Sequence, residues 1–457
     1  MKRFLLPILS LMLLGIVVLI AMGFYGAMLG SGQDGQGSSG SAASRTSSVD
    51  HAELVARGAY LARAGNCMGC HTQRGAAAYA GGRAIQTPFG SFYTPNITSD
   101  KDTGIGKWTQ ENFWQSIHAG KSRDGSMLYP AFPYPNYTKI TRADSDALFA
   151  YLQSIPAASR QNQPHDLRFP YNQRALLGIW RAMYFSPEVY QQDNKQPADW
   201  NRGAYLVQGL GHCSACHTSR NALGASINET LLGGGILSGQ EWYAPSLTSE
   251  NEIGLGHWQT SRINDLLKNG ATTTGYVTGP MAEVVSQSLQ HLSDADINAM
   301  STYLKSLPQT RTEPADKDIM PGFLKEAFQF ITGSGVNQNE RRNNEAMLKA
   351  GAVIYKNNCM DCHQAGGEGV AQAYPPLAGN HKLMTSSVAN PVRMVLAGGF
   401  APVTAGNPRP YGMPPFGPKL SDDEIAAVVS YIRNSWGNEA PMVSPSDVNK
   451  YRTAPLD

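Results

Sequence analysis

The sequence predicts a mainly α-helical protein, built as three small helical domains in tandem behind an N-terminal transmembrane helix. Three observations carry that expectation. The pattern Cys-X-X-Cys-His occurs at Cys67–His71, Cys213–His217 and Cys359–His363, at domain-sized spacing. Each occurrence is followed, after a Gly/Pro-rich stretch, by an amphipathic helical pattern. The chain also opens on Met1-Lys2-Arg3 and then 26 uncharged residues, Phe4 to Leu29.

The N-terminal stretch exceeds the ~7–15 apolar residues of a signal-peptide core and reaches the ~20 needed to cross a bilayer. Lys2 and Arg3 on its short side place the N-terminus in the cytoplasm. Residues 1–29 therefore read as a signal anchor in the bacterial inner membrane, with a cleaved signal peptide as the alternative; either reading puts the domains in the periplasm. Residues 30–48 form a Gly/Ser linker. The domains follow at 49–160, 197–311 and 341–438. Residues 161–196 and 312–340 link them, and 439–457 form a tail.

The first two domains repeat each other. Arg57-Gly-Ala-Tyr-Leu61 precedes the first motif and Arg202-Gly-Ala-Tyr-Leu206 the second. Thr94-Pro-Asn-Ile-Thr-Ser-Asp100 answers Ala244-Pro-Ser-Leu-Thr-Ser-Glu250, and Gly104-Ile-Gly-Lys-Trp108 answers Gly254-Leu-Gly-His-Trp258. The third domain keeps Gly351-Ala-Val-Ile-Tyr355 and Tyr374-Pro-Pro-Leu377. The closing helices are expected at Asp144–Ile155, Ser293–Leu307 and Ser421–Trp436, each opening on a capping residue. Tyr151, Tyr303 and Tyr431 read as packing residues of these helices. The apolar linker runs Ala175–Phe185 and Phe323–Ile331 read as packing against a neighbouring domain, with membrane or quinone contact as the alternative.

Cys-X-X-Cys-His is the attachment signature of c-type haem. Two thiols one helical turn apart form thioethers to the haem vinyl groups, and the adjacent His offers a nitrogen to the iron. The three motifs use all six cysteines of the chain. Zinc sites would need pairs combined into four-ligand sets, and three pairs leave one over. Six Cys in 457 residues are also too sparse for a disulfide scaffold. Three covalent haems follow, with Cys67, Cys70, Cys213, Cys216, Cys359 and Cys362 as attachment sites and His71, His217 and His363 as proximal ligands.

A methionine opposite His raises the haem potential. Met413, in Tyr411-Gly-Met-Pro-Pro, and Met281, in Gly279-Pro-Met-Ala-Glu, stand just before the closing helices and read as distal ligands of the third and second haems. Trp258 to Met281 spans 23 residues, and the same count from Trp108 falls near Phe132, which cannot bind iron. Met127 is then the expected ligand of the first haem, with His118 or an open position as alternatives. His118, His212, His257 and His291 otherwise read as surface residues.

The net charge of +2 points to no nucleic acid or anionic partner. No Gly-X-Gly-X-X-Gly after a strand, Gly-X-Ser-X-Gly or His-Glu-X-X-His is present, so no independent catalytic constellation is visible.

Each unit resembles the class I cytochrome c domain. The RGAYL–CXXCH openings, the TPNIT and GIGKW segments and the Leu128-Tyr-Pro-Ala-Phe-Pro-Tyr-Pro-Asn-Tyr137 loop, in three-domain order, resemble the three-haem cytochrome c subunits of bacterial membrane-bound dehydrogenases for alcohol, aldehyde, gluconate and related periplasmic oxidations. The resemblance covers about residues 50–438. It implies a separate catalytic subunit (molybdenum/iron–sulfur, quinoprotein or flavoprotein) from which the haems pass electrons to membrane ubiquinone or a terminal oxidase. It assigns the same six Cys, three His, Met281 and Met413. Many relatives read YPAMPY where this chain has Tyr129-Pro-Ala-Phe132-Pro-Tyr134. Several attach through C-terminal amphipathic segments, whereas this chain is expected to anchor at its N-terminus, which shifts the expected partner toward the molybdenum/iron–sulfur class. The alternatives are a stand-alone anchored carrier and a haem enzyme acting at an open first haem.

Overall fold

The structure is a computed structural model that describes residues 51–248, 254–272, 275–309, 338–371 and 373–454. The anchor expected at 1–29, the linker at 30–48 and the apolar run Phe323–Ile331 lie outside the described residues. Among the described residues, no helix is long and apolar enough to cross a membrane. The chain forms two compact units. One holds the first domain, its following linker and residues 205–212 and 222–225, and the other holds the remainder of the second domain together with the third.

Each domain is built on an opening helix packed across a closing helix. The opening helices are His51–Ala64, Ala198–Gln208 and Gln338–Asn358, and the closing helices are Arg142–Ser154, Asp294–Ser306 and Asp422–Arg433. Glycine sets how closely they cross. A Cβ on Gly58 would stand 1.9 Å from the Ala147 carbonyl oxygen, on Gly203 2.0 Å from that of Ala299, and on Gly351 2.2 Å from that of Ala427. No other residue fits without moving one helix off the other. In each crossing the same glycine meets the closing-helix tyrosine at its Cβ, namely Tyr151, Tyr303 and Tyr431. Tyr303 is buried and sets its ring edge-on to Trp200 at 5.1 Å, which fits the packing role expected of these tyrosines.

The arginine of the RGAYL segment has a partner on the closing helix. Arg57 donates through Nε to Asp144 at 2.9 Å, and Arg202 forms a two-pronged pair with Asp296 at 2.8 Å on both arms. The third domain has Ala350 at that position. Its equivalent acid, Glu424, turns back to accept the Ser421 N–H at 2.8 Å and completes a capping box. The first closing helix begins two residues earlier than expected, because Thr141 caps it by accepting the Asp144 N–H.

Short antiparallel strand pairs interrupt the helical plan, such as Ala84–Thr87 with Gly90–Tyr93 and Gly399–Phe400 with Gly412–Met413. The stretch expected to be a tail folds instead. Pro445–Arg452 forms a helix whose Val448 and Tyr451 are buried in the core of the third domain, and Arg452 donates to Asp422 at 2.7 Å. In the linker after the first domain, the helix Leu177–Tyr184 buries Leu177 and Arg181 and exposes Met183 and Tyr184. The Arg181 guanidinium lies over the rings of Tyr134 and Phe185, 5.5 and 4.8 Å from their centroids, and pins this helix to the first domain.

Candidate haem sites

Each Cys-X-X-Cys-His motif closes one helical turn. The backbone N–H of His71, His217 and His363 donates to the carbonyl of Cys67, Cys213 and Cys359, in each case at 2.9 Å. This i to i+4 closure brings the first Cys and the His onto one face, with the second Cys beside them. None of the six cysteines is in a disulfide. Burial is the main cause that pushes the thiols of Cys67 and Cys213 up to about 12 and that of Cys359 up to about 11. They are neutral sulfurs at pH 7.

The imidazoles are oriented by a contact that recurs three times. His71 Nδ1 lies 2.8 Å from the carbonyl oxygen of Pro95, His217 Nδ1 2.7 Å from that of Pro245, and His363 Nδ1 3.0 Å from that of Pro375. A carbonyl only accepts, so Nδ1 carries the proton and donates, and the Nε2 lone pair is left free. Burial, opposed by that hydrogen bond, holds all three imidazoles below their ordinary pKa and so neutral. A neutral imidazole with a free Nε2 and an anchored Nδ1–H is what a metal-ligating histidine needs. The prolines belong to the Thr94-Pro, Ala244-Pro and Tyr374-Pro segments. Their repetition is visible in the sequence, but their role is not.

The closing helices support these sites through one further position, two residues after the packing tyrosine. Gln153 donates to the Ile105 carbonyl at 2.8 Å, Lys305 to that of Gly256 at 2.8 Å, and Arg433 to that of Thr385 at 2.7 Å. In the first two domains the acceptors lie in the GIGKW and GLGHW loops. The residue type changes, but the donor function is kept.

In the first domain Cys67, Cys70 and His71 open on a cavity of 860 Å³. Its walls include Pro95, whose carbonyl meets the imidazole, Ile97, Trp108 from the GIGKW loop, and Phe132. That volume lies within the roughly 300–1,000 Å³ of small-molecule and cofactor sites. The wall is mostly apolar and the motif residues stand together at one side, so the residues present fit a covalent haem. Phe132 lies in this wall, and Met127 does not. The Met127 carbonyl instead accepts from Arg174 at 2.7 Å, and its backbone pairs with Lys121. His118 also lies outside the wall, stacked on Trp114 at 4.3 Å with Nδ1 3.0 Å from the Thr138 carbonyl. His212, expected at the surface, is part of the wall. Its Nδ1 lies 2.7 Å from the Leu210 carbonyl and its ring meets Tyr137 edge-on at 5.4 Å. His165, from the linker, lines the same cavity and accepts the Tyr93 N–H at 3.2 Å. With Nδ1 accepting, its proton sits on Nε2, the opposite tautomer from the motif histidines.

In the third domain, Cys359, Cys362, His363 and Met413 line one cavity of 120 Å³. Met394, from the helix Ala389–Ala397, lines it as well, a second thioether that the sequence reading overlooked. In the second domain Met281 sits in the first turn of the helix Pro280–Gln287, not in a loop. It follows Gly279, whose φ of 56° lets the backbone pass against the Trp242 ring.

Comparison with known proteins agrees with this geometry. The cytochrome c family matches residues 55–156, 201–308 and 348–436. The chain belongs to the cytochrome c family. The cytochrome c subunit of a quinone alcohol dehydrogenase from Gluconobacter oxydans (strain 621H) is 38% identical over 410 residues, covering 88% of this chain and 82% of that one. The fructose dehydrogenase cytochrome subunit of Gluconobacter japonicus is 36% identical over 416 residues, covering 88% and 83%. The gluconate 2-dehydrogenase cytochrome c subunit of Pantoea cypripedii is 36% identical over 413 residues, covering 87% and 89%. Thus the whole three-domain arrangement has relatives among the cytochrome subunits of dehydrogenase complexes.

Proposed function

We propose that this protein is the electron-transfer subunit of a dehydrogenase complex and carries three covalent haems c. The single observation that carries this is the threefold contact of a motif histidine Nδ1 with a proline carbonyl, which leaves three equivalent Nε2 atoms on one chain ready to hold iron. The six motif cysteines would hold the haems as thioethers. His71, His217 and His363 would offer Nε2 to iron, and Met281 and Met413 would offer thioether sulfurs to the second and third haems. A bound haem supplies one-electron chemistry. The protein's own contribution is axial ligand choice, burial and hydrogen bonding. Met127 serves the first haem only if the loop that carries it turns over, since Phe132 occupies the cavity wall.

The partner is a catalytic dehydrogenase subunit. The relatives named above belong to enzymes for alcohol, fructose and gluconate, which supports a substrate of the alcohol or sugar class. Membrane ubiquinone or a terminal oxidase would accept the electrons. The segment Phe4–Leu29 would anchor the chain in the inner membrane with its domains in the periplasm, where c-type haem is attached. Purification from the native membrane in detergent tests the proposal. A larger subunit in fixed ratio, whose substrate reduces the haems, is expected. A lone chain that no co-purifying dehydrogenase reduces would overturn it.

A further inference from the structure

The second and third domains lie in one compact unit and are joined by more than the chain. Asn390 exchanges two hydrogen bonds with the Tyr243 backbone, at 2.9 and 2.8 Å, and Thr404 donates to the Asn269 carbonyl at 3.0 Å. Within this seam one short segment of the second domain reaches into the third. Tyr276 and Thr278 line the cavity that holds Cys359, Cys362, His363 and Met413. Three residues beyond Thr278 is Met281, the thioether assigned to the second haem. Tyr276 to Met281 is five residue steps, at most roughly 18 Å of backbone at full extension. The path is held at both ends. Lys382 of the third domain reaches the Tyr276 carbonyl at 3.4 Å, Val277 between them is buried, and Gly279 packs on Trp242. Trp242 in turn lies under the Arg393 guanidinium of the third domain, 4.7 Å from the ring centroid.

We propose that the segment Tyr276–Met281 is the electron conduit between the second and third haems, with the Tyr276 ring as its contact on the third. This rests on the three-haem reading above. In the step one haem iron passes from ferrous to ferric as the other passes from ferric to ferrous. No bond is made or broken and no proton moves. Tyr276 lines the third cavity, and in this proposal its ring supplies the packed atoms across the gap, so that removing the ring slows transfer. The ring is what matters, and the hydroxyl is dispensable.

The test uses the full haem-loaded chain in a Met413→His background, which gives the third haem its own band and a lower potential. Electron equilibration is followed by transient absorbance after photoreduction by a soluble ruthenium complex. Tyr276→Phe is expected to keep the rate, and Tyr276→Ala and Tyr276→Leu to slow exchange with the third haem by at least roughly threefold. An unchanged rate in Tyr276→Leu, with three haems bound, overturns the proposal even where Tyr276→Ala fails to load. A parent chain that binds fewer than three haems would instead count against the underlying reading.

Discussion

Gly203→Ala is the sharpest probe of the domain architecture, because two effects of opposite sign meet there. Gly203 lies inside the helix Ala198–Gln208, where alanine is the better helix former by about 1 kcal/mol. Against that, the new Cβ would lie 2.0 Å from the Ala299 carbonyl oxygen and 2.9 Å from the Tyr303 Cβ, where ordinary contact begins at 3.4 Å. The first shortfall is 1.4 Å, and the obstacle is backbone, which cannot rotate away. The two helices must separate, and overpacking of this kind typically costs about 1–3 kcal/mol, occasionally more. Here the clash is at the severe end, so a net loss of about 2 kcal/mol is expected. For the larger unit that holds the second and third domains, that lowers the melting temperature by roughly 4–8 °C. The assay is thermal melting of the haem-loaded chain, followed by far-ultraviolet circular dichroism and by the haem band. A melting temperature equal to or above that of the parent would refute the claim that this glycine sets the helix crossing.

Four further outcomes are expected. Arg202→Met leaves Asp296 without its two-pronged partner, and since Arg202 is partly exposed the cost is about 1–2 kcal/mol, read as a lowered denaturant midpoint. Met413→Ala should abolish six-coordinate methionine ligation at one haem and lower that haem's potential, seen in a redox titration. The reduced protein should bind carbon monoxide at the first haem, where Phe132 faces the cavity, and a spectrum unmoved by the gas would show that a protein ligand closes that position. His118 is held below its ordinary pKa chiefly by burial, so the unfolded chain takes up the proton first as pH falls. The stability this neutral histidine provides is therefore full above the unfolded pKa of about 6.5 and declines as pH drops below it, and His118→Gln should flatten that part of the stability–pH curve.

Much of the site was legible in the sequence because haem attachment is local. Cys67, Cys70 and His71 lie within one helical turn, so spacing alone brings them together. The closing helices and the repeated RGAYL openings were legible for the same reason, being periodic or directly duplicated. The partners that finish the site lie elsewhere in the chain. Pro95, Pro245 and Pro375 reach their histidines across 24, 28 and 12 intervening steps, and loop lengths differ among the domains. The Gln153, Lys305 and Arg433 equivalence was hidden because the three side chains share only the ability to donate. His212 read as a surface residue because it follows an ordinary helix end, and only the tertiary fold turns it onto Tyr137 and into the first cavity. The C-terminal helix was missed because just two of its residues, Val448 and Tyr451, are buried, too few to raise a periodic signal among polar neighbours.

Reductive titration of the purified chain in the absence of any partner tests the central claim most directly. Three haems on three motifs should take up three electrons per chain, with the characteristic sharpening of the reduced haem bands, and removing one motif by replacing both of its cysteines should lower the count to two. Uptake of two electrons or fewer by the intact chain, or a motif deletion that leaves the count unchanged, would contradict it.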